Sequence, residues 1–135
     1  MRKLFSTRYN AGAVNTGLLV LRLGIGILMA NHGYDKLTHF STYQSQFMNF
    51  MGLGTSVSLS LTIFAELFCS VLLVLGLFTR LACIPLIIVT LVIIFKVSNA
   101  DVFGKAEIAA LYLTGYVALL FTGPGRISID NMISK

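Results

Sequence analysis

The chain predicts an all-helical membrane protein, a bundle of four transmembrane helices with a short amphipathic helix between the first and second. Three observations carry that expectation. Of the 135 residues, 56% are hydrophobic and only 11% charged, about half the charged share that a soluble domain uses to cover its surface. The mean hydropathy is +0.86, the opposite of the low-hydrophobicity, high-charge composition of disordered chains. The apolar residues also fall in continuous runs, not in the alternating segments of about ten residues that build a membrane β-barrel. A span needs roughly 20 apolar residues, so four fit this length and six do not, and one domain over residues 1–135 is expected.

The first run covers about Asn15 to Tyr34 and follows a polar start with Arg2, Lys3 and Arg8. It contains Arg22, exceeds a typical signal-peptide apolar region and lacks a small-x-small cleavage site after it, so it is expected to be a retained membrane helix. Between residues 40 and 51, Phe40, Tyr43, Phe47, Phe50 and Met51 recur at helical spacing, with Thr42, Gln44, Ser45, Gln46 and Asn49 on the other face. That pattern predicts a surface-lying amphipathic helix, either a connector or a lid. The second span runs from about Val57 to Phe78, with Thr79 and Arg80 as a tight turn into the third, Leu81 to about Val97. Pro85 then falls in the first turn of the third span, where proline does least harm. The fourth covers about Ala106 to Thr122 and stops at Gly123-Pro124-Gly125.

The net charge of +5 reads here as positive-inside bias, with no nucleic-acid partner expected. Arg2, Lys3, Arg8, Arg80, Arg126 and Lys135 gather on one side and Lys36, Lys96 and Lys105 on the other, which places both termini in the cytoplasm. Cys69 and Cys83 lie inside apolar runs, so a disulfide framework is not expected. No pair of histidines stands at ligand spacing, so no metal or haem site is expected.

Charged groups inside a membrane helix cost at least a few kcal/mol and mark functional sites. Arg22 and Glu66 stand out. At 1.5 Å per residue they lie roughly 10 Å from the inner end and roughly 13 Å from the outer end of their helices. A buried Arg22–Glu66 pair is therefore geometrically possible, as is a snorkelling Arg22 beside a protonated, hydrogen-bonded Glu66. Tyr112 and Tyr116, four residues apart on one helix face, bracket the depth of Glu66. A carboxyl beside phenols suits either the polar head of a quinone or lipid, or a structural hydrogen-bond network. His32 at the outer rim can relay a proton near neutral pH. Gly26 shares the Arg22 face, and Gly17, Gly24, Gly26 and Gly33 permit close helix contacts. The candidate polar pocket is thus Arg22, His32, Lys36, Glu66, Tyr112, Tyr116 and Glu107, with no residue assigned to catalysis.

The segments LRLGIGILMANHGYDKL (21–37), AELFCSVLLVLGLFTRLA (65–82), Lys105-Ala106-Glu107 and GPGRISID (123–130) together resemble the DoxX family of small four-helix membrane proteins. The resemblance implies a multi-pass protein of the bacterial inner (plasma) membrane. The family takes its name from a subunit of a thiosulfate:quinone oxidoreductase, so a quinone-linked redox role is implied for Arg22, His32, Lys36, Glu66 and Glu107. No flavin or nucleotide motif is present, so no other cofactor is evident and electrons would come from a partner protein or a bound quinone. Three functions follow: a quinone-associated component of a membrane redox system, a non-enzymatic lipid- or small-molecule-binding or transport bundle, and a membrane anchor subunit for a partner enzyme.

Overall fold

The computed structural model describes residues 5–47, 49–97 and 99–134, and among them every regular element is helical. The helices are α1 (Ala11–Thr38), α2 (Phe40–Gln46), α3 (Thr55–Leu75), α4 (Thr79–Val97), α5 (Glu107–Thr122) and α6 (Ile129–Ile133), with a 3-10 turn at Phe50–Gly52. Of these, α1, α3 and α4 are long and apolar enough to cross a membrane, while α5 is a shorter apolar helix of 16 residues. Arg2, Lys3 and Lys135, which enter the charge count across the membrane, lie outside the described residues.

The helix ends follow from capping chemistry. Helix α1 begins ahead of the expected Asn15 because the Asn10 side chain accepts from the Gly12 N–H at 2.8 Å and the Ala13 N–H at 3.2 Å. It also runs past Tyr34 to Thr38, carrying Asp35 and Lys36 on the helix instead of on a loop. Helix α3 ends at Leu75 because Gly76 adopts the left-handed conformation (φ 72°), and the Leu77 N–H returns to the Leu72 carbonyl at 2.9 Å. The turn is therefore 76–78, and Thr79 and Arg80 already belong to α4. Pro85 consequently sits in the second turn of α4, not the first. The amphipathic segment is helical only to Gln46, where Phe47 turns extended. Phe40, Tyr43 and Phe47 are half-buried while Thr42, Ser45 and Gln46 are exposed. Gln44 of the polar face is half-buried, however, and Met51 of the apolar face is 81% exposed. Only the part up to Phe47 therefore turns an apolar face inward, and the Phe50 side chain lies outside the described ones.

Helix α1 packs along α3, and α4 along α3 and α5. Met29, Cys69, Leu73, Cys83, Leu86, Tyr116 and Leu119 form the core between them. Outward positions such as Ile27, Phe68, Ile88, Leu111 and Phe121 are exposed by half or more. This inversion, apolar groups outside as well as inside, is what a bilayer solvent requires.

Candidate functional site

Two membrane-embedded charges are fully buried, Arg22 and Glu66, each 1% exposed. They do not pair with each other. Glu66 accepts from Lys36 Nζ through both carboxylate oxygens, each at 2.6 Å. Lys36 reaches it because α1 continues past Tyr34 and because Gly33 lets the backbones touch. A Cβ at Gly33 would lie 2.6 Å from the Leu67 nitrogen and 2.9 Å from the Glu66 carbonyl carbon. Glu66 itself sits in a π-helical turn, Phe64–Cys69, the kind of local widening that recurs at functional positions. A lone buried carboxylate is costly, and a bidentate ammonium partner is what makes this one tolerable.

Arg22 lies toward the other end of the bundle. Its Nη2 donates to the Ile127 carbonyl, and Asp130 is the opposite charge that acts on it. The space it fills requires Gly76, whose Cβ would collide with the guanidinium. Asp130 accepts from the backbone N–H groups of Phe78 (2.7 Å) and Thr79 (2.9 Å), capping α4 from the far end of the chain. The Asp130 N–H closes back on the Gly76 carbonyl at 2.8 Å, and the Arg126 N–H reaches Asn15 Oδ1 at 3.0 Å. The closing GPGRISID segment is thus a strap that ties the first, second and third spans at one end.

Between α3 and α4, beneath α2, lies a cavity of about 750 Å³. Its walls are apolar, including Leu61, Phe64, Pro85, Ile88 and Val92, and Lys36, Lys96, Tyr43 and Gln46 line it as well. Lys96 occupies a second π-helical turn, Ile93–Val97. The Tyr43 hydroxyl donates to Asp35, an interaction that raises the phenol above its usual range, with burial adding less.

The remaining sequence candidates are distributed elsewhere. Tyr112 and Tyr116 stack at 6.1 Å, and His32 stands edge-on to Tyr112 at 6.2 Å. Tyr116 is wholly buried and its hydroxyl has no partner among the described residues. Glu107 is exposed at the start of α5. Cys69 and Cys83 are free thiols in the core. Of the small residues on α1, Gly26 and Gly33 meet α3, whereas a Cβ at Gly17 or Gly24 would meet nothing within 4 Å. Sequence reasoning passed over Lys96 and Tyr43. The signals available were a lone lysine closing an apolar run and a phenol on the apolar face of the amphipathic segment.

The fold and its apolar exterior define an integral membrane protein of the all-helical class, embedded in a lipid bilayer. The chain belongs to the DoxX family, whose model matches residues 17–99. That match spans Arg22, Lys36, Glu66 and Lys96 but stops before α5 and the closing strap. No curated protein and no solved structure matches the chain.

Proposed function

We propose that this protein is a four-span component of a quinone-linked redox system in the bacterial inner membrane, with both termini cytoplasmic, and that it holds a quinone in the cavity between α3 and α4. The cavity carries this reading. Its volume falls within the range of about 300–1,000 Å³ typical of small-molecule sites, which are mostly apolar with a few placed polar groups. An isoprenoid- or alkyl-bearing ring suits the Phe64, Pro85 and Ile88 walls, and its carbonyl oxygens suit the lysine N–H donors. A bound quinone supplies two-electron, two-proton redox chemistry. Lys36, held by Glu66, keeps a charged donor at the head of the cavity, and Lys96 supplies a second. His32, one turn before Lys36 on α1 and exposed, would exchange protons with water at that end of α1, near the cavity but outside its lining. Helix α5, at 16 residues and 1.5 Å per residue, is the proposed fourth span.

Native mass spectrometry of the gently solubilised protein, followed by solvent extraction, tests this. A stoichiometric quinone that is lost in Lys36→Gln/Glu66→Gln, with helical content retained, is the expected result. A lipid in its place favours a non-enzymatic lipid-binding bundle. A co-purifying protein with no small molecule favours an anchor subunit.

A further inference from the structure

The head of the cavity carries more positive than negative charge. Lys36 and Glu66 cancel, since both carboxylate oxygens are taken by one ammonium at 2.6 Å. The carboxylate next along α1, Asp35, is engaged by the Tyr43 hydroxyl and by His39 Nδ1 at 3.3 Å, and it is not among the residues lining the cavity. Tyr43 spends its only hydrogen on Asp35 and so offers a ligand no donor. What is left is the ammonium of Lys96, which has no hydrogen-bond or carboxylate partner among the described residues and lines the same cavity. The third N–H of Lys36 is also unspent. The walls below are apolar, and a charged acceptor forms a shorter and stronger hydrogen bond than a neutral one.

We infer that this cavity selects quinones whose ring bears an ionised hydroxyl, with the oxygen anion seated between Lys36 and Lys96 and the apolar body along α3 and α4. This rests on the quinone reading above and adds the charge of the ligand to it. The site discriminates by an electrostatic difference that a neutral quinone of the same shape lacks.

Binding of two probes with one carbon skeleton tests this. Lapachol, a prenylated hydroxynaphthoquinone ionised at neutral pH, is compared with its neutral methyl ether. The protein is held in phosphatidylcholine nanodiscs, and empty nanodiscs correct for partitioning. Lapachol is expected to bind about tenfold more tightly, the size of one charge-assisted hydrogen bond. Lys96→Gln, at an exposed position whose loss leaves the core intact, is expected to abolish that preference, and Lys96→Arg to keep it. Equal binding of the two probes, or a preference that survives Lys96→Gln, overturns the inference while leaving the quinone reading in place. Displacement of lapachol by dodecanoate of equal affinity overturns it in favour of a fatty-acid site. Binding of neither quinone overturns both the inference and the function it deepens.

Discussion

The bundle handles a buried charge differently at its two ends. At one, Arg22 donates to a single carbonyl, its Nε and Nη1 having no partner among the described residues. It lies beneath a strap tied down through backbone: Asp130 on the Phe78 and Thr79 N–H groups, Asn15 on the Arg126 N–H. At the other, Glu66 is held by a single flexible side chain, Lys36, in a widened helical turn beside a cavity. The first arrangement locks three spans together and packs the Arg22 guanidinium against Gly76 with no space for a Cβ. The pocket of about 500 Å³ at that end is an open one against the strap and residues 78–81. The second pairs two side-chain charges and leaves about 750 Å³ open next to Lys36. A polar group at membrane depth can thus sit under a fastening strap or beside a cavity, and the two here differ in their partner: one backbone carbonyl for Arg22, one side-chain ammonium for Glu66.

The sharpest way to break the comparison is Lys36→Met. It strands Glu66 in the bundle, and removing one partner of a buried pair costs about 3–5 kcal/mol. The expected result is a large drop in thermal midpoint in detergent, most of it recovered in Lys36→Met/Glu66→Gln. Next in size is Gly33→Ala, which forces a Cβ against the α3 backbone at 2.6 Å. Overpacking of this kind costs about 1–3 kcal/mol, whereas Gly24→Ala, with nothing within 4 Å, is expected to change stability by no more than about 0.5 kcal/mol. At the strap end, Asp130→Ala removes the cap of α4 and should cost about 1–2 kcal/mol, with Asp130→Asn intermediate because one acceptor oxygen remains. Thermal melts of this series give the order directly.

The smallest effect is on Tyr43. Its hydrogen bond to Asp35 raises the phenol above the usual value near 10. A raised pKa favours the protonated phenol in the folded state. Its contribution is therefore fully present below the unfolded value and is lost as pH rises through the folded one. In a spectrophotometric titration, Asp35→Asn should bring the ionisation of one tyrosine to lower pH, and Tyr43→Phe should remove that component.

The membrane class and the run of apolar helices were legible because hydropathy is a property of whole segments, insensitive to where each helix stops. Arg22 and Glu66 were legible for the complementary reason, as charges inside such segments. Their partners were not. Lys36 reads as a rim residue beyond His32, and only the continuation of α1 to Thr38 and the bare backbone of Gly33 bring it onto Glu66. The Arg22–Glu66 pair that the depths allowed does not form, because Lys36 takes Glu66 and the strap brings the Ile127 carbonyl to Arg22, a contact 105 residues away in sequence that no local pattern encodes. Tyr112 and Tyr116 do share a face, as their spacing requires, but that face meets the core and His32 instead of the cavity. Lys96 lines the cavity from a π-helical turn at the end of α4, which the apolar run conceals.

The most direct test of the division between the two ends is quinone affinity measured side by side for the wild type, Lys36→Gln/Glu66→Gln and Asp130→Asn. The paired-charge variant is expected to keep its fold and lose binding, while the strap variant loses stability and binds as the wild type does. Unchanged affinity in Lys36→Gln/Glu66→Gln, or loss of affinity in Asp130→Asn at a temperature where it is fully folded, would contradict the account.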